Sequence, residues 1–221
     1  MQRIFLCDSY IKKYKITSGF YSDLMKKGNK WQDHFTRRAK EEKWLARSVY
    51  KLEEIDRKYR ILRPGNRVID LGCSPGSWSQ YCIKQIKGGG EVIGIDFNDP
   101  GNFSARNFKY IQADILTMEP EWIAGKTGEV DLVISDLAPS TTGIKITDTS
   151  RSMELVIKAY MIAIALLKKR GNFLCKIFEG ADLKKFKKDV SIHFEETHLI
   201  RPSAVRKGSK EIYLLGLRFV K

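Results

Sequence analysis

Four charged side chains in this sequence stand beside apolar runs with no obvious local partner. They are Lys51 in RSVYKLEEI, Asp136 in VISDLAPS, Lys176 in FLCKIFEG and Glu211 in GSKEIYLLG. Lys176 is the most informative, because its neighbours from Phe173 to Phe178 are apolar. Its ammonium should be partly desolvated and its pKa pushed down, unless carboxylates hold it charged. An amine tuned in that way can take the proton of a hydroxyl, such as a ribose hydroxyl, that is otherwise lost only at high pH. Taken alone, a lysine snorkelling from an edge strand would give the same local pattern.

A second constellation surrounds the segment Val68-Ile-Asp-Leu-Gly-Cys-Ser-Pro-Gly-Ser-Trp78. It has the form of a strand that runs into a turn and opens a helix near Ser77. Gly72 and Gly76 suit a turn where a Cβ would obstruct the chain or a ligand, and the helix start beyond offers free N–H groups. The spacing is GxxxG rather than the GxGxxG of dinucleotide sites, and Pro75 stands where a pyrophosphate would be wrapped. About 20 residues on, at the end of a second strand, Asp96 is placed to accept from both hydroxyls of an adenosyl ribose. Asp114, at the end of a third, can accept from an adenine amino group. Asp70, the two glycines, Asp96 and Asp114 would all lie at strand ends, where open α/β sheets bind ligands. S-adenosyl-L-methionine fits this set best; an ordinary strand-to-helix connection would account for the glycine turn alone.

The elements that must position these residues follow from short β-branched runs alternating with helical stretches. RVIDLG, EVIGID, FKYIQAD, DLVISD, GNFLCKIF and EIYLLGLRF are expected as strands, with SIHFEETHLI strand-like before the last. Helices are expected over Ser77–Ile86, Ser150–Lys169 and Leu183–Asp189. Such alternation implies an α/β fold, a mostly parallel sheet with helices on both faces. The stretch RPSAVRKGSK is too short for a crossover helix, so the final strand should return antiparallel to its predecessor. Residues 1–45 have no clean periodicity and are expected as a basic N-terminal arm ending in a helix, ahead of a catalytic domain over 46–221.

Forty Lys and Arg against 26 Asp and Glu leave a formal charge of +14. That sign and size favour a polyanionic partner, nucleic acid before an acidic membrane. The excess concentrates around the first and last of the four charged residues. Arg37, Arg38, Lys40, Lys43 and Arg47 precede Lys51; Arg201, Arg206, Lys207 and Lys210 precede Glu211. Trp31, Phe35 and Trp44 are interleaved with the first cluster, either to stack exposed bases or to dock the arm. The four cysteines form no CxxC pair, and no His stands at ligand spacing, so neither zinc nor a disulfide framework is suggested. The longest apolar run, within Val156–Leu167, is interrupted by Lys158 and falls short of the roughly 20 residues that span a bilayer. A monomer in the cytoplasm is expected, although the basic, acid-poor start also has the composition of an organelle transit segment.

With these residues in view, the chain resembles the FtsJ-like (RrmJ-type) ribose 2′-O-methyltransferases from about Trp31 to Phe219. The family's RS-x-x-K-L motif falls on Lys51, its D-x-A-P on Asp136, its K-hydrophobic-F-x-G on Lys176 and its S-[RK]-E-hydrophobic-Y on Glu211. Its loop D-L-G-x-x-P-G-x-W-S-Q matches Asp70 to Gln80. Ser140, Glu179 and Val205 depart from residues common in those motifs, and none of them is a tetrad member. The resemblance implies a Rossmann-like S-adenosylmethionine-dependent methyltransferase fold, a mostly parallel seven-stranded sheet with one antiparallel strand. It implies cofactor contacts at Gly76, Trp78, Asp96, Asp114 and Asp136, and attack of a ribose 2′-oxygen on a sulfonium methyl. Lys176 would then orient and deprotonate the hydroxyl, Asp136 and Glu211 would set its charge, and Lys51 would hold the ribose. The expected substrate is a uridine of ribosomal RNA in the large subunit, bound through Arg37, Arg38, Lys43, Arg47, Arg201, Arg206 and Lys207. Transfer RNA is the alternative substrate, and an idle RNA-binding module of the same fold the alternative role. A small-molecule methyltransferase fits the charge poorly.

Overall fold

The computed structural model describes residues 34–101, 103–138, 145–180 and 182–220. The arm before His34, with Trp31, and the position of Ser140 lie outside these. In chain order the elements are α1 (His34–Glu41), α2 (Val49–Tyr59), β1 (Arg67–Leu71), α3 (Ser77–Ile86), β2 (Glu91–Asp96), β3 (Phe108–Gln112) and α4 (Pro120–Thr127). Then follow β4 (Val130–Ser135), α5 (Lys145–Leu166), β5 (Leu167–Phe178), α6 (Leu183–Ser191), β6 (Phe194–Ile200) and β7 (Glu211–Phe219).

The strands form one sheet in the order β3-β2-β1-β4-β5-β7-β6. Pairings among β1 to β5 are parallel, and β7 is antiparallel to both β5 and β6. The single antiparallel strand is therefore inserted between β5 and β6, and the expected return from β6 is its outer pairing. From β1 the chain winds outward to β3, then comes back to β4 on the other side. The crevice between the carboxyl ends of β1 and β4 is thus the switch point where ligands bind in doubly wound folds.

Two apolar layers cover the sheet. One joins α4, α5 and α6 through Ile123, Ile157, Tyr160 and Phe186; the other joins α1, α2 and α3 through Ala39, Leu52, Ile55, Trp78 and Cys82. Strands buried on both faces carry near-continuous apolar runs, as VIDL and FLCKIF do. β5 is internal, between β4 and β7, which removes the edge-strand account of Lys176.

Some boundaries differ from the sequence expectation. α5 stops at Leu166, and Leu167 already pairs with Val130; the ladder resumes only at Leu132 with Asn172. The intervening Lys168, Lys169, Arg170 and Gly171 bulge out, with Lys168 paired to Asp131 at 3.0 Å. A basic tract that suits a helix end locally is thereby captured by strand pairing. Asp70 lies one residue inside β1, and Asp114 lies two residues beyond β3, so neither is at a strand end. α2 and α4 were not anticipated. α4 begins with Pro120 in its first turn, where the missing N–H costs nothing.

Candidate active site

Strand register brings three of the four charged residues together. Lys176 on β5 is directly opposite Tyr213 on antiparallel β7, and Glu211 is two residues from Tyr213, hence on the same face of that strand. Ser135 ends β4 beside Cys175, so Asp136 emerges next to Lys176. The fourth, Lys51, is in the first turn of α2. Three contacts hold that helix in place: Trp78 Nε1 donates to Ser48 O at 2.9 Å, Tyr81 donates to Asp56 at 3.1 Å, and Asp56 also accepts Leu62 N–H at 2.9 Å. Burial of this Asp56 carboxyl raises its pKa.

The result is two ion pairs bridged by a phenol. Lys51 Nζ lies 2.6 Å from Glu211 Oε1, and Lys176 Nζ lies 3.2 Å from Asp136 Oδ1 and donates to Asp136 O at 2.6 Å. Tyr213 Oη is 2.7 Å from both Asp136 Oδ1 and Glu211 Oε1. The phenol carries one proton and faces two acceptors, so the carboxylates share its donation. Burial and these two carboxylates push the Tyr213 pKa well above its usual value, so the hydroxyl remains a donor. Lys176 is only 7% exposed, and its amine is held by both the carboxylate and the carbonyl of Asp136. This is the paired arrangement, the alternative to an isolated desolvated lysine. Sequence reasoning missed Tyr213. The alternation Glu211-Ile-Tyr213 on a strand was the available signal, since it puts both side chains on one face.

The glycine loop has the backbone that its spacing implied. Gly72 has φ +79°, and a Cβ there would come 2.6 Å from Leu137 Cδ2; Gly76 has φ +110°. Asp96 accepts the N–H of Ser74 at 3.0 Å and of Asn98 at 2.8 Å, so it ties the loop to the end of β2. Asp114 is exposed and accepts the N–H of Leu116 at 3.0 Å. Beside these acids stand two exposed apolar side chains that sequence reasoning did not single out, Phe97 at 68% and Leu116 at 44%. Trp78, in contrast, is buried; its indole N–H is committed to Ser48 and its ring packs 5.8 Å from Tyr213. Asp70 is fully buried beneath the loop. Ser79 Oγ donates to its Oδ2 at 2.7 Å, while Oδ1 has no partner among the described residues. Burial, opposed by the Ser79 hydrogen bond, raises the Asp70 pKa to about 7.

The family model of FtsJ-like methyltransferases matches residues 44–219, a span that includes both ion pairs, Tyr213 and the glycine loop with its acids. The chain belongs to the FtsJ-like methyltransferase family. It is 44% identical over 190 residues to ribosomal RNA large subunit methyltransferase E of Desulfosudis oleivorans, covering 86% of this chain and 92% of that one. With the protein of the same name from Bdellovibrio bacteriovorus the identity is 46% over 189 residues, covering 84% and 96%. Among solved structures, one titled a ribosomal RNA methyltransferase from Plasmodium falciparum superposes with a TM-score of 0.68 at 28% identity, over 80% of this chain and 98% of that one.

The two basic clusters, far apart in sequence, meet on the face covered by α1 and α2. Arg47 reaches across to donate to Ala204 O in the β6–β7 connection, and Glu54 accepts from Ser203 N–H at 2.8 Å. Some of the expected RNA contacts are engaged within the protein. Arg38 pairs with Glu42 at 2.7 Å and sits over the Tyr50 ring, and Arg201 donates to Ser209 O. Arg37, Lys43, Arg206 and Lys207 are exposed around them. Phe35 packs against Tyr50, and Trp44 against Tyr81, so these aromatics dock α1 rather than present open stacking faces.

Proposed function

We propose that this FtsJ-like methyltransferase methylates a ribose 2′-hydroxyl of large-subunit ribosomal RNA, with S-adenosyl-L-methionine as methyl donor. The observation that carries the reading is the bridged pair of ion pairs, Lys51–Glu211 and Lys176–Asp136, at the carboxyl ends of the strands beside the glycine loop. A site for transfer to an exposed hydroxyl needs a base held in one orientation and positive potential where alkoxide charge develops. The names of the relatives at 44% and 46% identity support ribosomal RNA as the substrate.

The residues fit the donor. Gly72 and Gly76 keep the turn free of Cβ atoms, Asp96 offers a carboxylate to ribose hydroxyls, and Phe97 and Leu116 offer apolar surface to an adenine. The unpartnered Asp70 Oδ1 leaves an acceptor beneath the loop that an ammonium or a bridging water can use. When bound, S-adenosyl-L-methionine supplies a methyl group on a positively charged sulfur. The protein supplies the rest. Lys176 directs two of its N–H groups to the carbonyl and carboxylate of Asp136, which leaves the third position on its nitrogen to engage the 2′-hydroxyl and to take its proton once the ammonium has given up its own. Lys51, held by Glu211, keeps a positive charge near the developing oxyanion. Tyr213 couples the two pairs, so that their orientation is set before the substrate arrives; positioning of this kind contributes up to about 7–11 kcal/mol in favourable cases.

RNA is expected to approach over the basic face formed by the exposed Arg37, Lys43, Arg206 and Lys207, with Arg47 tying the two clusters together through Ala204. The tetrad is complete within one chain, so the proposed chemistry needs no residue from a second subunit, and among the described residues the free, buried Cys73, Cys82 and Cys175 are consistent with a reducing compartment such as the cytoplasm. No described helix is long and apolar enough to cross a membrane. The test is incubation with labelled methyl donor and either large ribosomal subunits or total transfer RNA, followed by mapping of the modified nucleotide. Label on a ribose of large-subunit RNA supports the reading; label on transfer RNA alone, or on a base, overturns it.

A further inference from the structure

On the opposite face of the sheet from α1 and α2, helix α6 has the sequence LKKFKKDVS, four lysines in nine residues. Its apolar side is spent on the core, where Phe186 and Val190 are buried. Lys184 and Lys188 are exposed and Lys187 is half-buried; among the described residues no carboxylate lies within ion-pair distance of any of the three. The arrangement works against the helix itself. Lys184 and Lys188 are like charges at i and i+4, Lys184 and Lys187 at i and i+3, and such neighbours repel. Lys184 and Lys185 also occupy the first turn, which has no acidic residue, where the helix dipole disfavours cations. A polyanion laid along α6 relieves both penalties.

The position of the helix identifies the polyanion. α6 begins five residues after β5, the strand of Lys176. The connecting segment touches the first basic surface: Glu179 N–H donates to Lys210 O at 2.9 Å, and the Glu179 carboxylate lies 4.0 Å from Arg201. Exposed basic residues thus stand on both sides of a short acidic connector that carries Glu179 and Asp182: Arg201, Lys207 and Lys210 on one side, and Lys184 at the start of α6 on the other. We infer that α6 is a second RNA-binding surface, which grips the phosphate backbone flanking the target nucleotide from the side opposite to α1 and α2. The inference rests on the proposed action on RNA, and it adds a contact surface formed by residues outside the motifs of the catalytic site.

The experiment compares wild type with Lys184→Gln/Lys187→Gln/Lys188→Gln, in which glutamine keeps a similar helix propensity. Binding to large-subunit ribosomal RNA is measured as a function of salt. Each lost phosphate contact lowers the slope of log K against log salt by roughly 0.7 to 0.9, so the triple variant should be shallower by about 2 to 3. Its KM for large ribosomal subunits should rise at physiological salt, with a thermal midpoint equal to or above that of wild type, since the like-charge repulsion along α6 is relieved. A control with Lys109→Gln/Lys126→Gln/Lys169→Gln, which removes as much charge elsewhere, should keep the wild-type slope. An unchanged slope in the α6 variant, or an equal loss in the control, overturns the inference. Because the slope is read on binding, a wild-type protein that methylates no RNA would overturn the proposed function separately and still leave α6 to be decided.

Discussion

Substituting Tyr213 by Phe isolates the hydroxyl that links the two ion pairs. Tyr213 is fully buried, and its ring fills the space between Trp78 and the Lys51 ammonium, so Phe preserves the packing and removes only Oη. One charge-assisted hydrogen bond is lost, a contribution of about 1.5–3 kcal/mol. Neither carboxylate becomes unpaired, since Asp136 keeps Lys176 at 3.2 Å and Glu211 keeps Lys51 at 2.6 Å, which favours the lower half of that range. A loss of about 2 kcal/mol lowers the thermal midpoint of a domain this size by roughly 4–8 °C. If the same hydrogen bond sets the orientation of the base, kcat falls by about an order of magnitude for each 1.4 kcal/mol withdrawn. KM for RNA and cofactor affinity should stay near wild type, because the hydroxyl faces only the tetrad. The assay is steady-state methylation of large subunits, paired with a thermal melt. A variant with wild-type kcat and a lowered midpoint would show the bridge to be structural alone; wild-type values of both would refute the reasoning.

Three further outcomes follow from the geometry. Lys176→Ala should reduce single-turnover methyl transfer by at least about 100-fold, the lower end for loss of a general base, while calorimetry shows cofactor affinity little changed; transfer at near wild-type rate would exclude Lys176 as the base. Asp96→Ala should weaken cofactor binding by about 10-fold or more, as expected for a lost charge-assisted contact of at least 1.4 kcal/mol, and unchanged affinity would remove Asp96 from the site. The third concerns Asp70, which the folded protein keeps protonated up to about pH 7 and the unfolded chain releases near 3.8. Between those values the native state binds more protons than the unfolded one, so this group costs stability as pH rises, by up to about 4 kcal/mol. Asp70→Asn removes that slope. In urea titrations without cofactor, the stability of the variant relative to wild type should climb from pH 4 to pH 7, and a constant difference would contradict the buried-carboxyl account.

Much of the candidate site is legible in the sequence alone, because its signals are local. Lys176 inside an apolar strand, the GxxxG turn after β1, and an acid at the end of β2 each draw their meaning from the few residues around them. The strands were readable for the same reason, since internal β-strands write themselves as short β-branched runs. The boundary at Leu167 was not, because LKKR favours a helix end locally and only pairing with β4 extracts it.

What the tertiary structure alone decided is who meets whom. No spacing rule connects Lys51 with Glu211, or Asp136 with Tyr213; the antiparallel insertion of β7 beside β5 puts Tyr213 opposite Lys176, and the docking of α2 on α3 carries Lys51 to Glu211. The same holds for charge. Sequence showed two basic clusters, and folding joined them on one face, committed Arg38 and Arg47 to internal contacts, and left the lysines of α6 on the other. Local interactions determine which elements form and which residue types are set aside for chemistry. Non-local pairing, whose register no single segment encodes, determines the distances at which that chemistry can occur.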